Sequence, residues 1–232
     1  MTAPLHFAEP GEAAGVAAFL ARLLHYDRTA AVRLRAGGGV LAVFGRPPSF
    51  DVLAVRTAVL VADDALADTA LDVTVSAGEL LDGVEEAAGK AVLPAPVTGP
   101  PWSGVLPPRG GWREVPGLPD SAGLCAAVAA GVAEFRARDE ELPPRHRTRA
   151  ERDRIGREIW SRPVAGTELP LRAAHAARSL GFLPPAGAVP QGVPVVLLAA
   201  GPWLRLRTPC GSVAVRAATG LGELGVTPLR HP

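Results

Sequence analysis

Lysine, cysteine, methionine and tyrosine are nearly missing from this 232-residue chain, which has two cysteines, one methionine, one tyrosine and, at position 90, a single lysine. Each scarcity excludes something. Two cysteines, Cys125 and Cys210, argue against a disulfide framework in a chain long enough to bury its own core. Cys125 falls beside the apolar face of an alanine-rich segment and reads as a small buried hydrophobe, whereas Cys210 falls in a turn. The five histidines, His6, His25, His146, His175 and His231, make no metal-ligand spacing with one another or with the cysteines. Removing Lys90 from 24 basic residues leaves 23 arginines. That is the bias of a GC-rich genome, so an arginine here is not by itself evidence that a guanidinium fork was selected. No apolar run is long enough to span a membrane. The opening "MTAPLHFAEPGEAAG" has neither the basic nor the apolar region of a signal peptide, and a cytoplasmic protein without membrane contact is the expectation.

Catalytic signatures are also wanting. There is no G-x-S-x-G elbow. "GVEEAAGKA" (83–91) has one residue too many for a phosphate loop and no Ser or Thr after Lys90. "GGG" at 37–39 reads as a hairpin turn, and the acids Asp63-Asp64 and 139–141 read as solvated loop residues. His175 reads as a satisfied, half-buried imidazole. No catalytic residue, cofactor or metal is assigned, and the balance is against an enzyme.

What the chain does contain is a series of short, well-punctuated elements. "GEAAGVAAFLARLLHYD" (11–27) places Val16, Leu20, Leu23 and Leu24 on one helical face. Residues 30–45 alternate with period two around the triple glycine and predict a hairpin with Leu34 inward and Arg33 and Arg35 outward. Strands follow over 51–62 and 71–75, then a helix over 76–89 opened by the capping pair Ser76 and Glu79. Three more helices are predicted over 121–138, 148–160 and 169–183, the last stopped by Pro184-Pro185. Asp153–Arg157, Arg154–Glu158 and Glu158–Arg162 are spaced as ion pairs along the middle one. A strand near 193–201 and a hairpin over 203–217 close the chain, with Leu206 inward and Arg205 and Arg207 outward.

Between the two halves lies a stretch of different character. From Pro94 to Pro119, 26 residues include 8 prolines and 5 glycines, a composition that excludes helix and sheet. It also carries Trp102 and Trp112, which a plain linker would not need. The reading is an ordered strap whose indoles are mostly buried, with Arg109 stacked on one of them. The predicted fold is α+β, with two small domains, each an antiparallel hairpin or sheet packed on helices: 1–93 and 120–232, joined by the strap over 94–119.

The two hairpins are alike. "RLRAGGGVLAV" (33–43) and "RLRTPCGSVAV" (205–215) agree at six of eleven positions without a gap, and each hairpin follows an alanine-rich helix. An internal duplication is one explanation; coding bias acting on short strands is the other.

"PWSGVLPPRGGW", "AAHAARSLGFL" and "WLRLRTPCGSVAVR" resemble the corresponding stretches of a family of uncharacterised actinobacterial proteins, a likeness that runs over most of the chain and supplies no catalytic residue. The helix-plus-hairpin ends are also similar in pattern to the repeated units of DNA sliding clamps, from which no function is drawn.

Charge supplies the functional expectations. Net charge is +1, yet residues 143–232 hold 13 arginines against 5 acids, +8, leaving −7 for the rest. A non-enzymatic binding or interaction protein that self-associates through these opposite surfaces is expected. The alternative is a DNA-binding protein using the basic C-terminal part, whose helix-helix-hairpin order is that of a winged helix. The candidate interaction residues are Trp102, Arg109 and Trp112 in the strap, and Arg205, Arg207 and Arg216 on one face of the last hairpin.

Overall fold

The computed structural model describes residues 4–61, 71–183 and 194–217. Asp63-Asp64, Pro184-Pro185 and His231 lie outside these residues. The chain opens with β1 (Leu5–His6) and α1 (Pro10–Tyr26), a helix with proline in its first turn and Val16, Phe19, Leu20 and Leu23 buried on one face. Next come β2 (Ala31–Gly37) and β3 (Val40–Gly45), joined by Gly38 and Gly39 at φ 61° and 74°. Two successive positive φ values make the turn whose twist matches an antiparallel hairpin, and glycine adopts them without a Cβ clash. β4 (Leu53–Val59) and β5 (Leu71–Ser76) follow.

The next helix corrects the sequence reading. α2 is capped as expected, the Glu79 amide donating to Ser76 Oγ, but it spans only Ala77–Asp82 and does not reach residue 89. At Gly83 the backbone closes on the Val92 carbonyl, which an added Cβ would meet at 2.7 Å. From there the chain doubles back: β6 (Val84–Glu85) pairs with β7 (Lys90–Ala91), which pairs with β1 in a small three-stranded sheet.

The C-terminal half begins with β8 (Arg113–Val115), followed by α3 (Ser121–Glu141), α4 (Arg149–Ser161) and α5 (Leu171–Ser179). Asp120 caps α3 through the Gly123 amide at 2.7 Å, and Thr148 caps α4 through Glu151. α5 stops before the prolines. Gly181 takes φ 72°, its amide donates to the Arg178 carbonyl and the Phe182 amide reaches back to the Ala177 carbonyl, a Schellman cap. β9 (Val196–Ala200), β10 (Trp203–Thr208) and β11 (Gly211–Arg216) complete the fold.

The architecture is α+β, and its two halves share one eight-stranded sheet in the order β5-β2-β3-β4-β11-β10-β9-β8. The seam is the antiparallel pairing of β4 with β11, Val213 opposite Ala54. Outwards from that seam each half is a meander ending at the centre, so β4, β3, β2 mirror β11, β10, β9, with β5 and β8 at the rims. The helices follow the same plan: α1 packs on β4 and α5 on β11. This symmetry is offset by one strand from the sequence match, which set β2–β3 against β10–β11. By position in the sheet β3–β4 corresponds to β10–β11, and β9 separates the last hairpin from its helix.

Strand parity holds in both hairpins. Leu34 and Leu206 are fully buried on the helix-covered face, within one apolar cluster drawn from both halves. Arg33, Arg35, Arg205 and Arg207 point to the other face, where Arg33 and Arg205 meet the strap, Arg35 pairs with Asp72 of β5 and Arg207 is exposed. The strap crosses that face from rim to rim. Val97 donates to the Thr74 carbonyl beside β5, the Arg33 guanidinium bonds the Ser103 carbonyl, and β8 pairs with β9 at the far rim. The composition argument against regular structure fails here, since residues 101–104 form a 3-10 turn and residues 113–115 form β8. Further along, Gly117 and Gly166 pack backbone on backbone at φ 90° and 80°, leaving no room for a side chain on either.

The acids at 139–141 belong to the last turn of α3, and Asp139 pairs with Arg152 of α4 at 2.7 Å. Two bidentate pairs join the same helices, Arg138 with Glu158 and Arg162 with Glu134. Part of the attraction between acidic and basic segments is therefore met within the chain. Asp153 lies 3.8 Å from Arg149 rather than pairing with Arg157.

Candidate functional site

The loop between β3 and β4, "RPPSFD" (46–51), reaches from the N-terminal half to α5 of the C-terminal half and faces α3 and α4 across a cleft. Its tip is strained: Asp51, at φ 49°, is the only non-glycine residue with positive φ among the described residues. Aspartate tolerates this left-handed conformation better than most residues, at a cost on the order of 1 kcal/mol. Asp51 is held by an ion pair to Arg46. Phe50 beside it turns inward and is buried.

Around Phe50 runs a chain of aromatic contacts. Tyr26 of α1 meets it edge-on at 5.5 Å, and Phe50 in turn meets the His175 ring of α5 edge-on at 5.0 Å. His175 lies against Trp160 of α4 at 4.4 Å and 30°. Room for the indole comes from Gly131 of α3, where a Cβ would stand 2.9 Å from the six-membered ring. Burial first, and Arg178 second, push the His175 pKa below its ordinary 6.5, so the imidazole is neutral at pH 7. His175 is half-buried as expected, but neither its ring nor the Trp160 N–H has a hydrogen-bond partner among the described residues.

Phe50, His175 and Trp160 wall a cleft of about 810 Å³ between the two halves. Phe135, expected in the core stripe of α3, is half-buried and forms part of the wall. Three charged groups on its rim are already engaged: Arg152 with Asp139, Asp51 with Arg46, and Asp153 near Arg149. Two guanidinium groups are not. Arg157 of α4 and Arg172 of α5 have no ion pair or hydrogen bond among the described residues, and Arg172 Nε is buried without an acceptor. Among the described residues, no group of three or more His, Cys, Asp or Glu side chains could hold a metal ion.

Arg172 also lines a smaller cleft of about 310 Å³ on the other side of the loop, under the strap. Trp102, Trp203, Arg46, Arg216 and Leu53 share it. The six residues singled out in the sequence thus do not converge. Trp102 and Arg216 meet in this smaller cleft. Trp112 lies further along the strap, its indole N–H donating to the Pro108 carbonyl at 3.0 Å. The cation over the Trp112 ring is Arg205, at 5.7 Å from the centroid, rather than Arg109, which is exposed. Both strap indoles are half-buried. Burial lowers the Arg205 pKa, and its side chain donates to Ser212 Oγ at 2.8 Å. Arg207 is exposed. Nor does the last hairpin project as a wing: β10 and β11 are interior strands, bounded by β9 and β4.

Sequence reasoning missed the larger cleft because four separate segments supply it. The available signal was weak: a histidine and a tryptophan on neighbouring helices, and an arginine on an alanine-rich helix.

Residues 1–104 match the family model of a domain of unknown function (DUF8010), and residues 107–220 match that of a second (DUF8185). The two matches meet within the strap and agree with kinship to an uncharacterised family. No curated protein and no solved structure matches the chain.

Proposed function

We propose that this chain is a non-enzymatic binding protein and that the cleft between its halves holds a small organic anion. The observation that carries the proposal is Arg172. A buried N–H without an acceptor costs about 1–3 kcal/mol, and nearly all such groups in folded proteins are satisfied. Within the described residues nothing satisfies this one. A carboxylate or phosphate on a ligand would pair with the terminal nitrogens of this otherwise unengaged guanidinium, and Arg157 across the cleft would add a second fork. The volume suits a ligand of ordinary metabolite size, and the aromatic walls suit an apolar or planar body behind the anionic group.

8-Anilinonaphthalene-1-sulfonate, an aromatic anion, tests this reading. Its fluorescence should rise saturably with the native protein, and its affinity should fall at least tenfold in Arg172→Met and in Arg157→Met. Near-UV circular dichroism identifies variants that remain folded. Equal binding by the folded variants would place the dye elsewhere and defeat the proposal.

A further inference from the structure

The strap cleft is lined by a different set of residues, and its polar chemistry is one-sided. Arginine and tryptophan side chains can donate hydrogen bonds but cannot accept them. The uncommitted polar side chains here are Arg172, Arg216, Trp102 and Trp203, donors without exception. The one carboxylate in the lining, Asp51, is held by Arg46. Arg216 has no acceptor among the described residues and only lies over the Trp203 ring, 5.8 Å from its centroid. Three guanidinium groups and one carboxylate leave the lining at +2. Arg172 is half-buried while Arg46, Asp51 and Arg216 reach solvent, and like charges gathered in one cleft repel one another until an anion sits among them.

We propose that the strap cleft is a second binding site, for a phosphate dianion, free or as the terminal group of a small phosphomonoester. A dianion matches the +2 lining, and its oxygens accept from several donors at once, as the forks of Arg172 and Arg216 require. At about 310 Å³ the cleft admits a phosphate with a modest substituent, which the indoles of Trp102 and Trp203 would flank. This assigns the strap a task beyond spanning the sheet: Trp102 forms one wall of the site. It does not depend on the larger cleft having a ligand, although Arg172 lies between the two.

The four tryptophans give each region its own reporter. Trp102 and Trp203 report the strap cleft, Trp160 the larger cleft, and Trp112 serves as control. In a ¹⁵N-labelled sample of the full chain, with indole N–H signals assigned by single Trp→Phe variants, inorganic phosphate and phenyl phosphate are titrated separately. The Trp102 and Trp203 signals should move saturably. The dissociation constant should rise at least tenfold in Arg216→Met, while Arg157→Met leaves it unchanged. Tighter binding of phenyl phosphate would identify a phosphomonoester, and tighter binding of inorganic phosphate the free ion. Should Arg216→Met not fold, Arg216→Lys, which keeps the charge without the fork, should still weaken binding measurably. Signals of Trp102 and Trp203 that stay fixed with both probes, or that move identically in the Arg216 variants, would overturn the proposal. A shift of Trp160 alone would do the same, assigning the anion to the larger cleft only.

Discussion

Replacing Arg172 with methionine separates a ligand-binding arginine from a structural one. The methionine keeps the apolar stem against α5 and removes the guanidinium. Arg172 makes no ion pair or hydrogen bond among the described residues, so the substitution removes no compensating contact. It does remove the desolvation penalty of Nε, about 1–3 kcal/mol for a fully buried donor. Since Arg172 as a whole is only half-buried, a gain of about 1 kcal/mol is the reasonable expectation, or about 2–4 °C in Tm for a chain of this size. Equilibrium urea unfolding without ligand measures it as a higher midpoint at unchanged slope. Binding of the aromatic anion should fall at least tenfold in the same preparation, the opposed movement expected when function retains an unfavourable residue. A loss of stability of about 1 kcal/mol or more would show that Arg172 holds the fold together, and would refute the reasoning from its orphaned Nε.

Leu206→Ala, at a fully buried position, should cost about 2–5 kcal/mol by urea unfolding, whereas Arg207→Ala on the exposed side should stay within about 0.5 kcal/mol. Bonds from Arg138 and then Arg162 hold the Glu158 carboxyl down to about 2 against an ordinary 4.5, while Glu134 and Asp139 are also lowered. Depressed carboxyl groups contribute stability that is present above pH 4.5 and lost as pH falls toward 2, so the urea midpoint should drop across that window, less steeply in Arg138→Met. Residues 1–106 and 107–232, expressed apart, should each expose the seam edge of β4 or β11 and fold poorly, yet recover native circular dichroism on mixing. Mixed-sequence duplex DNA should give no mobility shift at low salt, because Arg152, Arg154 and Arg162 of the basic part are paired with acids; a shift that weakens steeply with salt would revive the nucleic-acid reading.

The parts of the fold that could be read from sequence were those written in local periodicity. Val32, Leu34, Leu41 and Val43 alternate, and both hairpins form with the expected sides inward. Ser76, Thr148 and the glycines of the first turn announce their elements for stereochemical reasons that need no tertiary context. What failed depended on distant partners. Gly83 ends α2 because Val92 returns against it, and residues 113–115 become a strand because β9 offers an edge. The β4–β11 seam was invisible for the same reason. The larger cleft was hardest. Arg172 resembles every other arginine in an arginine-rich chain until the structure shows that, unlike Arg35, Arg56 and Arg205, whose Nε atoms are also buried and unpaired, it has no partner at any nitrogen among the described residues. The strap tryptophans were noticeable at once, but Arg109 lies between them only along the sequence; the sheet brings Arg205 to Trp112 instead.

The central claim is that an anion occupies the cleft between the halves, and the small molecules released from protein purified from its native cells test it most directly. Mass spectrometry of the denatured native protein should find at least one anionic compound in near-stoichiometric amount, strongly depleted from Arg172→Met purified in parallel. Recovery of no enriched anion, or of the same anion in equal amount from the folded variant, would contradict the account.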